Sequence, residues 1–157
     1  TEVLSDFDRD YFDALFAFIP TRYDRTLLID GGLPGGFGAE LWSFVSYAFI
    51  HGSWTHLIVN AIWFLPFGSA VARRFGTTRF LLFFAVTAAA GALAHLFTHG
   101  GEDVAVIGAS AAISGTMAGA MRFAALLTLK QSRAIAHRPM MTLDKHMAAA
   151  RRHHARR

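Results

Sequence analysis

Three stretches of the sequence contain no Asp, Glu, Lys or Arg, and they constrain the fold more than any other feature. They cover residues 41–72, 80–101 and 104–121. Each meets or approaches the roughly 20 apolar residues that an α-helix needs to cross the hydrocarbon core of a bilayer. The sequence therefore predicts an all-α membrane protein, a polytopic helical bundle with about three transmembrane helices. We expect these helices at 41–67, 80–98 and 107–129.

The charged residues outside these stretches are distributed asymmetrically. The first 40 residues carry eight acidic side chains against three arginines, whereas the chain from Lys130 onward carries eight basic side chains against Asp144. Positively charged loops tend to stay on the cytoplasmic side of a membrane. The basic connection 68–79 is therefore expected in the cytoplasm and the acidic connection 99–106 outside.

This threading predicts three regions in a multi-pass integral membrane protein of the bacterial inner membrane. Residues 1–40 form an external arm or first loop, residues 41–129 the transmembrane core, and residues 130–157 a basic cytoplasmic tail. Because the chain is expected to start outside and then enter the membrane, we infer that an earlier spanning helix has been lost. The basic excess lies where the topology needs it and lacks interleaved aromatic residues, so we expect the lipid bilayer as a partner and no nucleic acid.

Cysteine is absent from the sequence. Disulfides, thiolate chemistry and zinc sites built on cysteine are thereby excluded. The eight histidines form no His-Glu-x-x-His pattern, which is the arrangement that typically binds zinc on a helix. We expect neither a metal nor a cofactor.

The third stretch opens with a serine among small residues, Gly108-Ala109-Ser110-Ala111. Glycine tolerates unusual backbone angles and small neighbours leave a hydroxyl uncovered, so Ser110 is expected at a loop-to-helix start as a candidate nucleophile. Small residues at this density are also typical of tightly packed membrane helices. Counting in fours from Ala111 gives Gly115 and Gly119, which predicts a ridge of small residues for close helix packing.

The first stretch carries His56 and Asn60, four residues apart. On a helix they lie on one face, and both side chains can donate hydrogen bonds towards the same point. Polar groups at membrane depth are costly, so they are functional candidates, although such groups also hold helices together. If the first and third helices are neighbours, Ser110 can attack a carbonyl while its own N–H, His56 and Asn60 stabilise the oxyanion. His51, nearer the outer end, is expected to be interfacial.

At these residues the sequence resembles the rhomboid intramembrane serine proteases. Rhomboids have a His-x-x-x-Asn pair in their second transmembrane helix, matched by His56 and Asn60, and a Gly-x-Ser-x motif opening their fourth, matched by 108–111. The resemblance implies Ser110 as nucleophile and His56 with Asn60 as oxyanion donors. It implies transmembrane protein substrates, cut near the membrane surface.

The sequence also departs from the rhomboid pattern. The resemblance implies a general-base histidine in a sixth helix, within an Ala-His-x-x-Gly-like setting, but the chain ends 47 residues after Ser110. His137 follows Ala136 but precedes Arg138-Pro139 in a basic stretch, which does not suit a membrane helix. Ala72 and Ser114 stand where many rhomboids carry a Glu and a Tyr. We therefore expect an intramembrane serine endopeptidase core that is inactive as this chain alone; the alternative is a non-catalytic rhomboid-like protein that binds transmembrane clients.

Overall fold

The computed structural model of the chain describes residues 6–24 and 32–136. Five α-helices lie in these ranges: α1 (Asp6–Phe16), α2 (Gly36–Ser46), α3 (Trp54–Phe75), α4 (Thr77–Thr98) and α5 (Ser110–Ala136). Short 3₁₀ turns occupy Pro20–Tyr23 and Tyr47–Phe49. The described residues form no β-sheet, and extended pairing there amounts to an isolated antiparallel bridge between Phe18 and Val106. The all-α prediction is confirmed.

The chain divides into two compact units, residues 1–120 and 121–157. The first unit contains α1 to α4 and the beginning of α5, and all candidate site residues belong to it. The second unit contains the remainder of α5.

Three helices are long and apolar enough to cross a membrane, namely α3, α4 and α5. The predicted number of spans is therefore confirmed. The predicted start of the first span at residue 41 is wrong, because residues 41–46 belong to α2 and α3 begins only at Trp54. Ser53 adopts an extended backbone and its hydroxyl accepts the His56 N–H at 3.1 Å, which caps the new helix. The absence of charge alone does not reveal this break, so the sequence predicts one helix where the structure has two.

The connection expected at 68–79 is almost entirely helical. Helix α3 continues to Phe75 and α4 begins at Thr77, so Gly76 alone joins them. Its φ of +79° is a conformation that glycine adopts without the steric cost of a side chain. Arg73 and Arg74 lie in the last turn of α3, where positive charge complements the helix dipole.

The ridge of small residues on α5 packs against α4. A Cβ atom built on Gly91 of α4 would lie 2.3 Å from the Cβ of Ala111, and one on Gly115 would lie 2.4 Å from Cγ2 of Thr87. Backbones this close leave no space for larger side chains, which is the packing that small residues permit in membrane helices. The predicted ridge of small residues therefore does form a close helix contact, and the helix it contacts is α4.

Side chains from α2 and from the 3₁₀ turn Pro20–Tyr23 satisfy the end of α1. The last carbonyls of a helix have no partner within the helix. Three successive carbonyls in the last turn of α1 accept hydrogen bonds from elsewhere in the unit: Ala14 from Arg22, Leu15 from Trp42 and Phe16 from Ser46. Arg22 is only 3% exposed and also donates to the Pro34 carbonyl at 2.9 Å. Burial lowers the pKa of its guanidinium.

Candidate active site

Ser110 is the first residue of α5 and its side chain is exposed. Two residues earlier, Gly108 has a φ of +104°, which a residue with a side chain adopts only under strain. The predicted loop-to-helix start at this serine is confirmed. A residue in this position presents its hydroxyl beyond the helix end, beside N–H groups that have no acceptor within the helix.

The segment that leads to Ser110 is anchored at every second residue. The Val104 carbonyl lies 3.0 Å from Nε2 of His95, and Val106 exchanges backbone hydrogen bonds of 2.8 and 3.2 Å with Phe18. The Gly108 N–H donates to the Tyr47 carbonyl at 2.9 Å. These bonds fix the backbone just before the serine, and rigid support of this kind is what a reactive side chain needs.

Tyr47 links this segment to the helix core. It is only 1% exposed, and its hydroxyl donates to the Ala88 carbonyl of α4 at 2.8 Å. Phe18, which is fully buried, packs 6.3 Å from the Tyr47 ring, measured between ring centroids. The backbone before Ser110 therefore rests on the most deeply buried part of the unit.

His56 and Asn60 of α3 converge on Gly108. A Cβ atom built there would lie 2.5 Å from His56 Nε2 and 3.5 Å from Asn60 Nδ2. Asn60 is 8% exposed, whereas His56 is partly exposed. The structure thus brings both predicted α3 side chains to the backbone two residues before Ser110. Their spacing of four residues places them on one helix face, as the sequence indicates.

A cavity of about 450 Å³ adjoins these residues. Its wall is almost entirely apolar and is formed by the segment 48–51, one face of α3, the beginning of α4 and the start of α5. Asn60, His51 and Ala109 also line it. Apolar cavities with a few convergent polar groups are typical of ligand and active sites.

His51, which the sequence predicts to be interfacial, lies beside His56. Its ring lies 5.0 Å from the His56 ring, centroid to centroid, at an interplanar angle of 69°. Burial, together with the nearby His56, lowers the pKa of His51, against a hydrogen bond to the Phe49 backbone that acts in the opposite direction. Its signal in the sequence is weak, because a histidine before a helix start is typical of an interface.

Residues 6–24 and 32–136 contain no group of three or more His, Cys, Asp or Glu side chains that could hold a metal ion. His95 and His99 stack with ring centroids 4.3 Å apart, and His95 Nε2 is engaged by the Val104 carbonyl. His137 lies outside the described residues.

Comparisons with known proteins identify the family of the chain. The Rhomboid domain family matches residues 38–145, more than half of the chain. The chain is 33% identical over 51 residues to Rhomboid protease GlpG of Haemophilus influenzae, a match that covers 32% of this chain and 27% of that protein. No solved structure matches. Together with three helices suited to crossing a membrane, the family match shows that this chain belongs to the rhomboid family of membrane proteins.

Proposed function

We propose that this chain carries the nucleophile and the oxyanion donors of an intramembrane serine endopeptidase that cuts transmembrane substrates near the membrane surface. The observation that supports this most strongly is the convergence of His56 and Asn60 on Gly108, two residues before an exposed serine at a helix start. Membership of the rhomboid family and the likeness to a rhomboid protease add to it.

The proposed chemistry is acyl transfer to Ser110. Its Oγ attacks the carbonyl carbon of the scissile peptide bond, and the carbonyl oxygen takes up the negative charge. The Ser110 N–H, the His56 imidazole and the Asn60 amide donate hydrogen bonds to that oxygen. When this intermediate collapses, the C–N bond breaks, the amine leaves with a proton, and water then hydrolyses the acyl-enzyme. Donors fixed in advance around a developing charge are often the largest single contribution to catalysis, and each is worth about 10²–10³ in kcat.

Ser110 also requires a proton acceptor, because a serine hydroxyl is a weak nucleophile at its ordinary pKa. His56 is committed in this proposal to the oxyanion. The rhomboid resemblance implies a histidine on a further membrane helix for the proton. The test below therefore uses the protein that the whole gene encodes.

Cleavage by purified protein in liposomes, supplied with a fluorescently labelled transmembrane peptide, tests the proposal. The decisive variant is Ser110→Ala, and Ser114→Ala is its matched control. Ser114 lies one turn further along α5, is also exposed, and donates its hydroxyl to the Ser110 carbonyl at 2.9 Å. We expect Ser110→Ala to lower kcat by several orders of magnitude, on the order of 10⁴–10⁶, and Ser114→Ala to retain most of the activity.

A non-catalytic protein would give a different result in the same assay. If the wild-type protein binds the peptide without cutting it, and Ser110→Ala binds equally well, the chain belongs to a non-catalytic member of the family that holds transmembrane clients. Binding is measured by fluorescence anisotropy on the same liposomes, so both outcomes are visible in one preparation.

A further inference from the structure

We propose that His51 is a positioning residue of this site, holding one water molecule between its Nε2 and the Asn60 amide. In this arrangement His51 orients both proposed oxyanion donors, His56 by contact and Asn60 through the water. The inference rests on the proposed function of the site, and it adds a residue and a water site to it.

We infer the tautomer of His51 from the partners of its two ring nitrogens. Its side chain bonds to the Phe49 backbone, while Nε2 is buried and, among the described residues, has no partner. The bonded nitrogen is therefore Nδ1, and a carbonyl acceptor requires that it carry hydrogen. In a neutral imidazole the other nitrogen is then an acceptor. Nε2 of His51 accordingly presents a lone pair.

Asn60 presents the complementary group to the same cavity. Its side chain is more than nine-tenths buried, and its Nδ2 likewise lacks a partner within the described part of the chain. Both residues line the cavity of about 450 Å³. Buried polar groups left unpaired are unfavourable, and a water molecule there can donate to His51 Nε2 and accept from Asn60 Nδ2, as buried waters commonly do.

The amide of Asn60 can serve two partners at once. Its nitrogen carries two hydrogens. One of them bonds the water, and the other remains for the oxyanion on the side where Nδ2 approaches Gly108. The water therefore fixes the rotation of the amide plane without occupying the position of the reacting oxygen.

His51 supports His56 directly. The two rings meet at 69° with centroids 5.0 Å apart, so the edge of one faces the other. This contact restricts the rotation of the His56 ring, whose Nε2 must stay beside Gly108 to serve as a donor. His51 thereby restrains both side chains, His56 by contact and Asn60 through the water molecule.

The proposed arrangement of His51, the water molecule and Asn60 is sensitive to pH. Burial and His56 lower the pKa of His51, so at neutral pH its Nε2 remains an acceptor. Protonation in acid turns Nε2 into a donor, so the bridge of His51, water and Asn60 loses its acceptor at His51 and no longer fixes the Asn60 amide. His56 is the titratable group that faces His51 from α3. A second cavity beside His51, of about 360 Å³, is lined by Phe12, Phe16, Ser46, Phe49 and Ile50. The described residues that line the two cavities, from α1 to α5, include no Asp, Glu, Lys or Arg.

Two substitutions separate positioning from packing. His51→Phe keeps a ring against His56 but removes the acceptor, whereas His51→Gln places an amide oxygen near the former Nε2. In liposome cleavage assays we expect His51→Phe to lower kcat at least tenfold with little change in KM, and His51→Gln to recover most of that loss. The decline of kcat on acidification below pH about 6.5 should be shallower in His51→Gln than in wild type. Equal losses in both variants, or identical pH profiles, overturn the proposal.

A spectroscopic measurement does not depend on activity. Solid-state NMR of Ser110→Ala protein, labelled with ¹⁵N-histidine and reconstituted in liposomes, reports the tautomer of each imidazole. We expect the His51 resonances, assigned by their loss in His51→Gln, to show a protonated Nδ1, an unprotonated Nε2 and a water contact at Nε2. A protonated Nε2, or an Nε2 without a water contact, refutes the water site. If cleavage fails but this signature is present, the proposed function is wrong and the site at His51 stands.

Discussion

The backbone of Gly108 and the imidazole of His56 are in direct contact, since a Cβ atom at Gly108 would lie 2.5 Å from His56 Nε2. The side chain on α3 occupies the space that any larger residue before Ser110 would need. This contact between two segments far apart in sequence defines the distance between the proposed oxyanion donors and the nucleophile.

Gly108→Ala should therefore damage both folding and activity. The substitution forces a residue with a side chain to a φ of +104° and displaces His56, and we expect a loss of stability of about 1–3 kcal/mol. Gly36→Ala is the matched control, because Gly36 also has a positive φ, of +51°, but nothing lies within 4 Å of its added Cβ. Thermal unfolding and cleavage are measured together. Activity lost to the same extent in both variants would contradict a specific role for the His56 contact.

Asn60→Ala should lower turnover more than binding. Loss of one oxyanion donor is expected to reduce kcat by about 10²–10³ and to leave KM nearly unchanged, because the hydrogen bond strengthens only in the transition state. Val59→Ala serves as the control on the preceding residue of α3, which is 48% exposed. A change confined to KM would argue that Asn60 binds substrate and does not stabilise the oxyanion.

The contact between α4 and α5 predicts a compensating pair of substitutions. Gly91→Ala should destabilise the protein, since the new Cβ would lie 2.3 Å from the Cβ of Ala111, and overpacking typically costs about 1–3 kcal/mol. Adding Ala111→Gly should restore part of the loss, because it removes the Ala111 contact but leaves the Tyr47 hydroxyl 2.9 Å from the new Cβ, and neighbouring substitutions that share one space are not additive. Thermal unfolding in detergent measures both. A double variant no more stable than Gly91→Ala alone would show that the helices are not this close.

The sequence predicts the membrane spans and the ridge of small residues on α5 well, and it predicts the part of the chain before α3 less well. Charge-free runs predict three membrane helices because the bilayer imposes a length. A run does not reveal an internal break, so it does not predict the cap that Ser53 provides at the start of α3. The ridge at Ala111, Gly115 and Gly119 follows from spacing alone. Its partner helix does not, because spacing says nothing about which neighbour a face meets.

The candidate site shows the same division. The spacing of His56 and Asn60 places both on one face, and the small residues around Ser110 predict the helix start. Their convergence on Gly108 depends on the Phe18, Tyr47 and His95 contacts that anchor the preceding segment, and these are tertiary. His51 is predicted only as an interfacial residue, because its ring contact with His56 and the cavity beside it leave no pattern in the chain.

The orientation of the protein in the membrane remains a prediction, and reporter fusions test it. A reporter fused after Arg157 should be active as a cytoplasmic protein, and one inserted near Gly101 should report the outside, because basic loops stay in the cytoplasm. Paired alkaline phosphatase and green fluorescent protein fusions give opposite signals for the two sides. The reverse pattern would place Ser110 near the cytoplasmic face and contradict the threading.

Covalent labelling is the sharpest test of Ser110 as the nucleophile. The protein encoded by the whole gene is treated in liposomes with a fluorophosphonate, which modifies activated serines, and digested for mass spectrometry. The account predicts a single adduct, on the peptide containing Ser110, that disappears in Ser110→Ala, persists in Ser114→Ala and weakens in Asn60→Ala. An unmodified Ser110 in protein that binds a transmembrane peptide, or equal labelling of Ser114, would contradict it.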